Sequence, residues 1–106
     1  MDIRQSHGDS FSATQSTATA ATATVAGVTG KIHYITDISG GAESGTANII
    51  VKQGATIIWE DVSPAGASYD KTFQSPLVGT AGNAVTITVV GLGAGKKKAN
   101  ISGYTI

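Results

Sequence analysis

Apolar and polar residues alternate along most of this chain, and the alternation has a period of two. Residues 31–38, KIHYITDI, put Ile32, Tyr34, Thr36 and Ile38 on one side and Lys31, His33, Ile35 and Asp37 on the other. That spacing predicts a β-strand, which Gly40-Gly41 is expected to end. Two short β-branched runs, residues 48–51 and 56–60, flank Gln53-Gly54 and predict a hairpin. Residues 63–66, SPAG, predict a loop. Residues 68–73 form a weaker strand pattern, and Pro76 marks its limit or a bend. After a turn at Ala81-Gly82-Asn83, Val85, Ile87 and Val89 share one face of a strand over residues 83–90. Residues 99–106 alternate again, with Ile101, Gly103 and Thr105 against Ser102, Tyr104 and Ile106.

The segment TATAATATV, residues 17–25, is rich enough in alanine for a helix. Its β-branched residues at alternate positions suit a pleated surface better, so a strand is predicted. Residues 1–18 are different. Apart from Met1, Ile3 and Phe11 are their only large apolar residues. Such a segment buries too little to order itself and is expected to be an extended arm unless a partner holds it. The chain therefore divides into an N-terminal arm, residues 1–18, and a β domain, residues 19–106.

Nowhere does an apolar stripe of helical period persist. Seven to eight short strands with frequent turn signals predict an all-β fold, an antiparallel β-sandwich whose two sheets cover each other's apolar faces. A jelly-roll-like order fits strands of this number and length, and so does an immunoglobulin-like order.

Composition narrows the function classes. The 106 residues make one small domain. Seven basic and seven acidic residues balance, so no net field draws the chain to nucleic acid or to an anionic membrane. Charged residues make up 13%, against roughly a quarter in typical soluble domains, which hints at surface covered in an assembly. The absence of cysteine excludes disulfides, thiolate catalysis and cysteine-bound zinc. No apolar run reaches the roughly 20 residues that span a bilayer, and the first residues carry no signal-peptide core. The protein is expected to be made and kept in a cytoplasm, or released without the usual secretion signal.

The stretch with most apparent chemistry is GLGAGKKK, residues 91–98. A phosphate loop needs a glycine five residues before its Gly-Lys and a Ser or Thr after it. Here those positions are Val90 and Lys97. A dinucleotide fingerprint fails too, because Lys96 stands where its third glycine belongs. The following KANISGYTI reads as a strand, so a hairpin turn is predicted. Its lysines are a local basic patch or a guard on a sheet edge.

Other candidates are sparse. His7 and His33 have no ligand cluster around them in sequence; an ordinary strand histidine is the expectation for His33, over a shared site on a trimer axis. Glu60 and Asp61 are adjacent on a strand and point to opposite faces, so they cannot flank a sugar as a glycosidase pair does. Trp59, inside IIW, is expected to pack in the core rather than stack on a sugar. Ser75 and Ser102 lack a nucleophile-elbow setting. Asn100-Ile101-Ser102 matches the glycosylation triplet by chance. No catalytic residue, metal ligand or cofactor site can be assembled, and an enzyme is not expected.

Residues 20–106 nevertheless have a familiar order. VAGVTGKIHYITDISG leads to ATIIWED, then FQSPLVGTAGNAVTITVVG, then a terminal KKANISGYTI. This resembles small tailed-bacteriophage virion proteins with a jelly-roll sandwich, of the capsid decoration (cement) type. The resemblance rests mostly on residues 30–35, 82–85 and 102–104, which are structural signatures. It implies a non-enzymatic protein of the virion's capsid surface, made in the host cytoplasm. A homotrimer that binds the major capsid protein and locks neighbouring subunits together is then expected, with neither nucleic acid nor membrane as partner. Three arms on one trimer would raise effective concentration, and an extended arm can add a strand to an open sheet edge. On position and composition, Ile3, Arg4, Gln5 and Phe11 are the expected capsid-binding arm residues. The alternative is a receptor- or carbohydrate-binding module of a phage fibre or tail, using loop residues near Trp59, Tyr69 and Tyr104.

Overall fold

The computed structural model describes residues 9–17, 20–64, 66, 68–91, 93 and 95–106. They form eight strands: β1 (Asp9–Thr17), β2 (Ala21–Val25), β3 (His33–Ala42), β4 (Ala47–Gln53), β5 (Thr56–Ser63), β6 (Ser68–Val78), β7 (Val85–Gly91) and β8 (Lys97–Thr105). Among the described residues there is no helix. The strands make two sheets of four, in the orders β1-β8-β3-β6 and β2-β7-β4-β5, and every pair is antiparallel. Only β4 and β5 are consecutive neighbours in one sheet; each other connection crosses between sheets. This order is the jelly roll, and it is not the immunoglobulin-like arrangement.

The core lies between the sheets and is built from small aliphatic residues. Ala21, Ala23, Ala47, Ile49, Val51, Val85, Ile87 and Val89 face in from one sheet; Ile35, Ile38, Ala42, Ala99 and Ile101 face in from the other. Alanines and valines leave a thin interior, so the layers come close. A methyl group at Gly40 would sit 2.8 Å from the Val89 Cγ2 of the opposite sheet and 2.7 Å from the Lys98 carbonyl oxygen. The Gly40-Gly41 pair predicted to end β3 is therefore continuous strand. Glycine stands there because the neighbouring β8 backbone and the opposing sheet together leave no room for a side chain.

The strict alternation expected for β3 is also broken. Its register against β6 and β8 shifts between Ile35 and Asp37. Thr36 is the extra residue of a β-bulge, and a bulge reverses the in-out phase beyond it. His33 and Ile35 point inward before it, Ile38, Gly40 and Ala42 after it. A period of two carried through the whole segment had put Ile35 and Ile38 on opposite sides.

Residues 9–17 depart from the expected free arm. As β1 they pair along their length with β8, from Asp9 opposite Thr105 to Thr17 opposite Lys97. Polar residues suffice at a sheet edge, because backbone pairing does not depend on side chains. Two residues tie β1 to the core. Ala13 packs against it, and the Phe11 ring meets the His33 ring edge-on with centroids 5.3 Å apart. Phe11 also lies opposite Gly103. A glycine in a strand leaves a hole that an aromatic ring on the partner strand can cover.

His33 joins four parts of the molecule. It is 2% exposed. Its Nε2–H donates to the Ala26 carbonyl at 2.8 Å, and its Nδ1 lies 2.6 Å from the Thr105 hydroxyl. It thereby ties β3 to the end of β8, to the connection after β2 and, through Phe11, to β1.

A Cβ at Gly103 would run into the Tyr34 carbonyl and lie 2.9 Å from the Phe11 Cζ. Gly103→Ala is expected to lower stability by about 2–3 kcal/mol through forced backbone displacement. Urea unfolding of the purified variant measures it.

Candidate functional site

The two sheets have very different outer faces. On the β1-β8-β3-β6 sheet the register stacks four rows. Ser10, Tyr104, Tyr34 and Val78 form the first, and Ser12, Ser102, Asp37 and Thr72 the second. Thr14, Asn100, Ser39 and Asp70 form the third, and Ser16, Lys98, Gly41 and Ser68 the fourth. The third row is hydrogen-bonded across the sheet. Thr14 donates to the Asn100 Oδ1 at 2.7 Å, and the Asn100 Nδ2 donates to the Ser39 hydroxyl at 2.9 Å. In the second, Asp37 accepts from Thr72 at 2.8 Å and from Thr36 at 2.9 Å. Tyr34 and Tyr104 stack with centroids 5.1 Å apart.

This face is indented. Around Gly41, Ser39 and Ser68 lies a depression of about 250 Å³ bounded by Glu43, Lys96 and Lys98. A second, of about 300 Å³, extends past Asp37, Thr72 and Ser102 towards β1. The two adjoin along the sheet, with Ser39, Asp70 and Asn100 lining both, and make a groove in two parts. Small side chains make it: glycine and serine stand where longer residues would fill the surface.

The other sheet's outer face is nearly uncharged. By register it presents Thr22 and Thr24 of β2, Thr86, Thr88 and Val90 of β7, Asn48, Ile50 and Lys52 of β4, and Ile57, Glu60 and Val62 of β5. The Thr22 and Thr88 hydroxyls are 3.1 Å apart. Ile57, Val62 and Val90 are exposed. Among the described residues, Lys52 and Glu60 are this face's only charges.

The residues singled out from sequence fall mostly inside the fold. Ile3, Arg4, Gln5 and His7 lie outside the described residues. Phe11 sits in β1, partly buried against His33, so it belongs to the sandwich rather than to a free arm. Trp59 packs with Tyr69 and Phe73, at centroid distances of 5.8 and 5.6 Å, along the open side between β5 and β6. Glu60 faces out on its strand, and Asp61 accepts from the Tyr69 hydroxyl at 2.7 Å. Asn100 spends its amide in the ladder described above.

GLGAGKKK is not the predicted hairpin. It carries the chain from β7 in one sheet to β8 in the other. Lys96 and Lys98 are exposed, whereas Lys97 is only 4% exposed. The Lys97 ammonium donates to the carbonyls of Gly93 at 2.8 Å and Gly95 at 3.2 Å. A buried charge needs such partners. The middle lysine thus fastens the loop from within, and its neighbours border the groove.

Neither the hydroxyl-amide ladder nor the groove was anticipated. Their residues are the polar positions of ordinary alternating strands, and only the pairing order, set by residues far apart in sequence, puts them side by side. Among the described residues no group of three or more His, Asp or Glu is placed to hold a metal ion. No helix of the described residues is long and apolar enough to cross a membrane. Searches of protein-family models, curated proteins and solved structures find no match to this chain.

Two measurements check the local electrostatics. Burial, then the hydrogen bond to Asp61 and its negative charge, push the Tyr69 hydroxyl up to about 12. The same bond, with help from the Val62 N–H, holds the Asp61 carboxyl below its usual range. Tyr69's contribution to stability is therefore complete below its ordinary value of about 10 and is lost as pH rises through about 12. Asp61's is present above the ordinary carboxylate range and is lost as pH falls through its lowered value. Fluorescence of Trp59, the only tryptophan, should report tyrosinate formation near pH 12, and Asp61→Asn should move that transition down. Separately, Lys97→Met keeps the aliphatic stem but strands two carbonyls. It should cost about 1–3 kcal/mol in thermal or urea unfolding, while Lys96→Met changes little.

Proposed function

We propose that this chain is a structural virion protein that sits on the outside of a bacteriophage capsid as a homotrimer and cements neighbouring capsid subunits. The observation that carries the reading is the outer face of the β2-β7-β4-β5 sheet. Threonines, Ile50, Ile57, Val62 and Val90 dominate it, and its two charges, Lys52 and Glu60, are opposite in sign. A face with so little charge suits lasting contact with protein. Copies of the chain are the occupants we assign to it: Lys52 of one can meet Glu60 of the next while aliphatic residues pack between them. The jelly roll and the resemblance of residues 20–106 to capsid decoration proteins support the same conclusion.

Attachment to the shell falls to residues 1–8, with Ile3, Arg4 and Gln5 as the contacts; Phe11 is occupied within the sandwich. Three such segments on one trimer bind together at high effective concentration, so modest contacts suffice. The major capsid protein is the partner.

Removing residues 1–8 leaves β1 whole, whereas a longer truncation would also remove an edge strand. The shortened protein should remain a trimer by light scattering and should no longer co-sediment with undecorated phage shells. Ile50→Asp should yield folded monomers with weakened shell binding. Full co-sedimentation of the truncated form would refute the arm mechanism, and a monomeric wild type would refute the trimer.

A further inference from the structure

We infer that the groove on the outer face of the β1-β8-β3-β6 sheet is a binding site for an uncharged oligosaccharide. The inference stands apart from the capsid reading, since it uses the opposite sheet.

A solvated sheet face is expected to be polar, so polarity alone carries nothing. Three further features do. First, the groups are already fixed in position. Asn100 is held from both sides by Thr14 and Ser39, and Asp37 by Thr36 and Thr72. Side chains that have lost their freedom before a ligand arrives cost less to engage. Each still has capacity, because a carboxylate offers about four acceptor positions, and the Asn100 amide uses one of its two N–H donors and one of its two acceptor positions in the ladder. Second, the face is hollow where those groups lie: two adjoining depressions share Ser39, Asp70 and Asn100 in their linings. From the row of Lys98 to the row of Tyr104 is six residues of β8, about 20 Å at strand rise. Third, the row beyond Asp37 and Ser102 holds the stacked Tyr34–Tyr104 pair, which lines neither depression but puts aromatic surface next to the second one.

Charge selects the class of ligand. Asp37, Asp70 and Glu43 are balanced by Lys71, Lys96 and Lys98, so the groove exerts no net pull on a phosphate or another polyanion. A purely apolar ligand would leave the ladder's donors and acceptors unmatched. A neutral, extended molecule rich in vicinal hydroxyls fits both constraints, with its less polar ring faces against the tyrosines.

The test is an amide-shift titration of the isotope-labelled full chain with trisaccharides of gluco, galacto, manno and N-acetylated configuration. At least one should shift resonances confined to Ser39, Asp70, Thr72, Asn100 and their strand neighbours. Asp70→Asn, which keeps the shape of the side chain and leaves both ladders intact, should weaken that binding about tenfold. Lys52→Ala, on the other sheet, should leave it unchanged. If no sugar of the panel moves the groove's resonances, or if the shifts map to the Trp59–Tyr69 side and survive Asp70→Asn, the groove is not a saccharide site.

Discussion

The close approach of two small-residue faces is the constraint on which this molecule depends. A domain of 106 residues has little apolar area to spend, and here most of it comes from alanine, valine and isoleucine. Such side chains stabilise only if the sheets lie near enough to exclude water and fill the space between them. The glycine at position 40 follows from that proximity. So does the placing of the larger rings at the margins, where the layers part: Phe11 over Gly103 on the β1 side, and Trp59, Tyr69 and Phe73 between the edge strands β5 and β6.

The same constraint explains which parts of the fold could be read from sequence. Strands with inward valine and isoleucine, such as Val85, Ile87 and Val89, announce themselves, because burial and period coincide. The Gln53-Gly54 hairpin was legible as well: Gly54 has φ +55°, a conformation glycine adopts cheaply. What could not be read is whatever long-range pairing decides. β1 has almost no apolar signal, since an edge strand is held by backbone bonds to β8. The bulge at Thr36 is invisible to a period-two count. Gly40-Gly41 and GLGAGKKK looked like turns in one sheet because glycine marks both a turn and a crowded strand. The hairpin reading of the lysine loop failed on topology: its flanking strands each have two partners, and neither is the other.

The polar ladders belong to the same category. Thr14, Asn100, Ser39 and Asp70 span most of the chain in sequence and one row in space. Each alone is an unremarkable solvent-facing position. Their chemistry exists only in the order β1-β8-β3-β6, in which the first and last strands of the chain lie side by side. The N-terminal edge strand is thus part of the groove's wall as well as the point where residues 1–8 join the sandwich.

On the two proposals made above, that placement separates two demands between the two faces of a small sandwich. A surface made for lasting contact with identical copies should carry few charges and few groups that need water. A surface made to take a hydroxylated ligand needs fixed donors and acceptors, with a hollow to receive it. Combining both on one sheet would bury the ladder at the interface and leave its polar groups without water. Dividing them between sheets avoids this conflict, because the two outer faces are built by different strands, whose outward residues are chosen independently. β8 and β7 show the division at the level of single residues. Each gives its inward positions to the shared core, whereas the outward ones are Asn100 and Ser102 on β8 but Thr86, Thr88 and Val90 on β7.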